Sequence, residues 1–192
     1  QFSVNGFTNG VGSSATFNGP LGVSISPDRS FVLIADSNHH AIRKMVLSTA
    51  DVTTFAGSSQ GYTDDTGIAA KFYTPYDVEI SSDGSFALVA DFSNTKVRKI
   101  MITSQVVTTL ASFTANTWGI TISRDMSYAL VTLGNTKVQK VIISTGVASD
   151  YVGGGSANNV DGDGTDAGFN SPYGISLSPT GRSALVTDVS SH

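Results

Sequence analysis

Few side chains in this 192-residue chain can do chemistry, and most of those that can recur at fixed spacing. The densest acidic run is Asn159-Val-Asp161-Gly-Asp163-Gly164-Thr-Asp166. Alternating oxygen ligands ahead of a glycine at the sixth position are how a calcium loop opens. Asn159, Asp161 and Asp163 are therefore the weak metal candidates, for calcium. The twelfth position is Asn170 rather than a bidentate Glu, and no helical pattern flanks the run. A comparable stretch, Thr63-Asp64-Asp65-Thr66-Gly67, lies upstream. Recurrence favours a turn whose carboxylates accept backbone N–H bonds, so the expectation is no cofactor, with calcium the alternative.

The three histidines are His39, His40 and His192. Two adjacent imidazoles on one turn are too few ligands for a metal centre, and a structural or merely exposed role is expected. Glu79 is the single Glu, so no His/Glu set converges, and no catalytic residue is assigned. Gly153-Gly-Gly155 reads as a flexible loop and not a phosphate cradle, because no helix follows it. Asp36, Asp91 and Asp188 share one column, each at the end of an apolar segment. They are expected to act as structural caps of the turn that follows. Arg43 and Arg98 form another column, and Lys44, Lys99 and Lys140 the next. Neighbours on a strand point to opposite faces, so these cannot make one basic stripe, and salt bridges between blades are expected instead. Trp118 stands in the column of Leu21, Tyr76 and Tyr173, which reads as packing or as an anchor for a partner.

The elements that position these residues follow from internal repeats. Pro20-Leu-Gly-Val-Ser-Ile-Ser returns as Pro75-Tyr-Asp-Val-Glu-Ile-Ser, Thr117-Trp-Gly-Ile-Thr-Ile-Ser and Pro172-Tyr-Gly-Ile-Ser-Leu-Ser. The segments ending at Asp36, Asp91, Leu133 and Asp188 are spaced by 55, 42 and 55 residues. Each full copy holds four short segments rich in Val, Ile and Thr, several alternating with the period of a strand, with Ser/Asp/Gly/Pro turns between them. Four antiparallel strands per repeat make one blade of a β-propeller. The fold class is all-β: about three and a half four-stranded blades of a roughly six-bladed ring. The blades are placed at 20–57, 75–112 and 117–153, with a partial fourth at 172–192. Val23, Ile25, Ile175 and Leu177 would then lie on open sheet faces, to be covered by more of the same protein or by a neighbouring subunit. Phe17, Phe72 and Phe169, three residues before each Pro, are expected to be buried between blades.

The chain resembles the NHL-repeat β-propeller family. Ala70-Lys-Phe72, Pro75, Asp83-Gly84, Val89-Ala-Asp91, Asn94 and Val97-Arg-Lys99 follow the family pattern. So do Phe17, Pro20-Leu-Gly22, Ile34-Ala-Asp36, Asn38-His-His40 and Ile42-Arg-Lys44. The third copy departs from it, with Leu133 for the Asp and Gln139 for the Arg. The resemblance implies a propeller and admits several roles. Related propellers include lyases and hydrolases with a His/Glu metal site in the channel, which would have to lie in blades outside this chain, and RNA-binding regulators.

Composition narrows these. Eleven basic against fifteen acidic residues give a net charge of −4, which opposes a nucleic-acid partner. Cysteine is absent, which excludes disulfides and thiolate chemistry. No apolar run reaches the length of a membrane span. Charged residues are only 14%, with Ser, Thr and Gly abundant, which suits an extracellular or cell-surface protein. There is no Asn-x-Ser/Thr sequon, although Ser58, Ser59 and Thr63 could carry O-linked sugar. The expectation is a non-enzymatic interaction or structural module with protein partners or neighbouring subunits, a subunit of a surface assembly or filament.

Overall fold

A computed structural model describes residues 6–134, 136–154 and 160–189. Gly155, Asn159 and His192 lie outside them. Four antiparallel sheets stand side by side. The first contains β1 (Gly10–Val11), β2 (Pro20–Ile25), β3 (Phe31–Asp36), β4 (Ala41–Val46) and β5 (Asp51–Ala56), in the order β1-β5-β4-β3-β2. The second is β6 (Pro75–Ile80), β7 (Phe86–Asp91), β8 (Lys96–Met101) and β9 (Val107–Ser112). The third is β10 (Thr117–Ile122), β11 (Tyr128–Leu133), β12 (Lys137–Ile142) and β13 (Ala148–Gly153). The fourth pairs β14 (Pro172–Leu177) with β15 (Ala184–Asp188). This is a β-propeller arc, and the described strands do not close into a ring.

The second strand of each blade explains why the blades must stack. β7 is buried along its whole length, because both of its faces are covered. Ala87 and Val89 enter the core shared with the first blade, around Leu33, Ile42, Phe55 and Phe72. Phe86, Leu88 and Ala90 enter the core shared with the third, around Ile120, Ala129, Val131 and Val141. The two-residue period of a strand thus deals alternate side chains to two separate cores. Burying one such side chain contributes about 1.5–3 kcal/mol. Val23 and Ile25, on the first blade's open face, remain 61% and 58% exposed, whereas Ile175 and Leu177 are half-buried.

The hairpin between the first two strands uses one polar device three times. Ser26, Ser81 and Ser123 donate to Asp28, Asp83 and Asp125, and each serine oxygen also accepts the N–H of the next strand's first residue. These bonds favour the carboxylate and pull Asp83 down to about 2. The turn needs a left-handed residue, which is Gly84 in the second blade but Met126, at φ 58°, in the third.

Loops distinguish the blades. Eighteen residues join β5 to β6 and β13 to β14, but only four join β9 to β10. The long loop before the second blade runs along its outer edge, where Gly67 donates to the Gln105 carbonyl and Val107 to that of Asp65.

Candidate functional site

Two clusters compete for the role of site, one where the long loops join the blades and one at the hub. In the second blade Arg98 is fully buried between the rings of Tyr62 and Phe72, with its guanidinium 5.0 and 5.1 Å from their centroids. It donates to Asp91 at 3.0 Å, to Asp64 at 2.6 Å and to the carbonyls of Lys71 and Thr63. In the first blade Arg43 sits between Phe7 and Phe17 and donates to Asp36, Asn9 and the carbonyls of Thr16 and Thr8. Asp36 and Asp91 are fully buried beneath these cations.

Asp36 and Asp91 therefore do not cap the backbone of the turn that follows them. Neither Asp36 nor Asp91 accepts from a backbone N–H of that turn, although each meets a side chain of it, His39 and Asn94. Asp36 accepts from the N–H of Asn18, Asp91 from that of Tyr73, and Asp188 from those of Asn170 and Ser171, all in the loop that enters the blade. In the first two blades the reason is the arginine on the neighbouring strand, which draws the carboxylate inward. Burial pushes Asp91 upward, and the bonds from Asn94, Tyr73 and Arg98 pull it back. The arginine pairs also lie within a blade and its own loop, not between blades as expected. Lys44, Lys99 and Lys140 cover Phe31, Phe86 and Tyr128 on the sheet faces.

The third blade is the control. Its entering loop is short and offers no carbonyls to a guanidinium. Leu133 replaces the aspartate and joins the apolar core, and Gln139 turns out to Asp150. In the first three blades loop, arginine and aspartate are present together or absent together, which marks this cluster as a structural lock.

The remaining sequence candidates resolve simply. Nδ1 of His39 lies 2.9 Å from Asp36, and Nδ1 of His40 accepts the N–H of Thr74, so the two rings serve separate partners. Asp161 and Asp163 are exposed, and no group of three metal-ligating side chains exists among the described residues. Phe72 is fully buried, as expected, but Phe17 and Phe169 are only half-buried, which corrects the expectation that all three are buried between blades. Phe72 belongs to the closed core between the first two blades, with Leu33, Ile42, Phe55, Val78 and Val89. Phe169 instead lines a 220 Å³ crevice between the third and fourth blades.

The hub holds what the repeats do not explain. The inner strands β2, β6, β10 and β14 converge there, one per blade. They hydrogen-bond through side chains: Ser24 accepts from the N–H of Ile80, Glu79 from that of Ile122 and Thr121 from that of Leu177. Close approach requires glycine. A Cβ on Gly22 would lie 2.3 Å from an Asp77 oxygen, and one on Gly119 would lie 2.5 Å from the Tyr173 carbonyl. At Gly22's column the second blade alone carries a carboxylate, Asp77, which accepts from the N–H groups of Ile120 and Val78.

Asp77 and Glu79 alternate with Val78 on β6, so they share a face. No basic side chain pairs with either among the described residues. Burial pushes Asp77 up. Burial, opposed by bonds from Ile122 and Thr121 and reinforced by the charge of Asp77, pushes Glu79 up to about 7. Above them, one side chain from each blade forms the channel mouth: Leu21, Tyr76, Trp118 and Tyr173, around a recess of about 250 Å³. Trp118 touches Tyr173 at 4.5 Å, Tyr76 at 4.8 Å and Phe92 at 4.4 Å between ring centroids. The anchor column was visible in the sequence. The carboxylates beneath it were not, and their signal was the acidic pair inside an otherwise neutral inner strand.

No protein-family model matches the chain. NHL repeat-containing protein 2 of Homo sapiens is 29% identical over 110 residues, covering 56% of this chain and 15% of that protein. The bovine protein of the same name is 29% identical over 115 residues, with the same coverage. A chain of Kuenenia stuttgartiensis hydrazine synthase superposes with a TM-score of 0.66 at 18% identity, over 94% of this chain and 45% of that one. A chain of a nidogen/laminin complex superposes with a TM-score of 0.67 at 12% identity, over 88% and 56%. The chain thus spans a small part of the sequence relatives it matches and about half of the solved chains. No helix among the described residues is long and apolar enough to cross a membrane.

Proposed function

The chain is an arc of NHL-type β-propeller blades, and from that premise we propose that it is a non-enzymatic interaction module that recognises its partner at the mouth of the hub. The observation that carries this reading is the aromatic ring of Tyr76, Trp118 and Tyr173, drawn from three blades and left half-exposed. Tyr and Trp are the residues that most often anchor interfaces. The solved propeller in a nidogen/laminin complex shares this fold. The low charge and the Ser/Thr/Gly-rich composition support an extracellular or cell-surface setting, within an assembly of subunits.

The test uses a photo-crosslinking amino acid in the full chain at Tyr76 and, as a control, at Lys140 on an outer sheet face. Capture of one protein species at Tyr76, lost in a Trp118→Leu background that melts normally, supports the reading. Equal capture at Lys140, or none at Tyr76, overturns it. The competing reading is an acid–base enzyme, favoured by Glu79 near neutral pKa in a channel. Glu79→Gln discriminates the two, because it would abolish turnover and leave capture intact.

A further inference from the structure

We infer that the hub mouth is a receptor for an alkylated ammonium group, held by the rings of Tyr76, Trp118 and Tyr173 with Asp77 as its counter-charge. This rests on the reading of the mouth as the recognition surface and names the chemistry it selects. Aromatic faces carry negative potential and attract cations, most strongly where water is excluded. The recess they line also contains an oxygen of Asp77, and no Lys or Arg lines it.

A second recess of about 410 Å³ shares Asp77 with the first and adds Glu79, again with no basic residue in its wall. The path from the mouth is therefore acidic and aromatic, and it lacks the internal cation that a structural carboxylate keeps at the blade junctions. Asp36 and Asp91 each have a buried arginine, whereas Asp77 and Glu79 have none among the described residues. A largely buried carboxylate held by backbone N–H groups but without a neighbouring cation is costly to keep charged, and an external cation would supply the counter-charge.

Alkylation follows from the donor count. A bare ammonium brings three N–H donors that must all be satisfied. Asp77 already accepts from Ile120 and Val78, and the rest of the wall is rings, Leu21 and glycine backbone. A quaternary head has no donors and needs only charge and apolar contact. At about 250 Å³ the recess falls just below the usual range for drug-sized ligands, which fits a small head group. The cation could come from a free molecule or from a trimethylated lysine side chain.

Trp118 is the only tryptophan, so its emission reports the mouth directly. The experiment titrates choline into the full chain at constant ionic strength. Parallel titrations use a trimethyllysine peptide, its unmodified counterpart and the neutral isostere 3,3-dimethylbutan-1-ol. A saturable emission change with choline or the trimethyllysine peptide is expected, about tenfold tighter than with the isostere. The tighter of the two cations identifies the source. Asp77→Asn, which retains an oxygen for the Ile120 N–H, and Tyr173→Leu should each weaken binding about tenfold without altering the far-UV spectrum. Equal binding of the isostere, or no saturable change with either alkylated cation, overturns the assignment. If partner capture at Tyr76 persists in that case, only the ligand class is wrong, whereas loss of both removes the recognition surface as well.

Discussion

The blade junctions and the hub use the same residue types to opposite ends. At the junctions the buried arginines pair with buried aspartates, Arg43 with Asp36 and Arg98 with Asp91, and Arg98 also meets the exposed Asp64. The arrangement repeats in two blades. At the hub, Asp77 and Glu79 have no cationic partner and occur in one blade only. Repetition with ion pairing marks a fold device, since in both blades it ties the entering loop to the sheet. Singularity without pairing marks a place where something else is to be met. The third blade supports the distinction, since it loses the loop, the arginine and the aspartate together and keeps its place in the arc.

The largest effects should come from breaking the junction. Arg98→Ala strands Asp91 and the loop carbonyls of Lys71 and Thr63, and should cost about 3–5 kcal/mol in chemical denaturation. Leu133→Asp, which installs the residue of the first two blades without loop or arginine, should be comparably damaging. A loss below about 1 kcal/mol in either would show that the pairing is dispensable. Phe72→Ala should cost about 3–5 kcal/mol, and Phe17→Ala clearly less because Phe17 is half-buried; the same denaturation curves decide it.

Smaller effects sharpen the hub side. The folded state raises Glu79 from 4.5 to about 7, so it binds that proton more tightly than the unfolded chain does. Stability from this group is present at low pH and is lost as pH rises through the window from about 4.5 to about 7. Glu79→Gln should flatten the stability profile across that window, as thermal melts at graded pH would reveal. An unchanged slope would mean that Glu79 is solvated. Smallest of all, Gln139→Ala on the third blade should change stability by no more than about 0.5 kcal/mol, because its partner Asp150 is exposed.

The contrast also explains what was legible in the sequence. Strands and blades could be read because the period of two and the Ser/Asp/Gly turns are local signals, repeated at intervals of 55 and 42 residues. The aspartate column was visible, but its role was not. Asp91 meets Arg98 across a strand pair and Tyr73 across 18 residues, and no local pattern reports those distances. Nor did the column of Phe17, Phe72 and Phe169 reveal that Phe72 alone of the three is fully buried. Asp77 was hidden by its register with Gly22 and Gly119, where a carboxylate looks like an ordinary exception. Its significance comes from convergence of four inner strands, which is a property of the arc and not of any one repeat.

The central claim is that junction residues hold the fold while hub residues serve recognition. It is tested most directly by measuring unfolding free energy and Tyr76-site partner capture together on Arg98→Ala and Trp118→Leu. The account predicts that Arg98→Ala loses about 3–5 kcal/mol and, where it remains folded, still captures the partner. Trp118→Leu should lose about 1 kcal/mol and abolish capture. A Trp118→Leu protein that captures normally, or that unfolds as readily as Arg98→Ala, would contradict it.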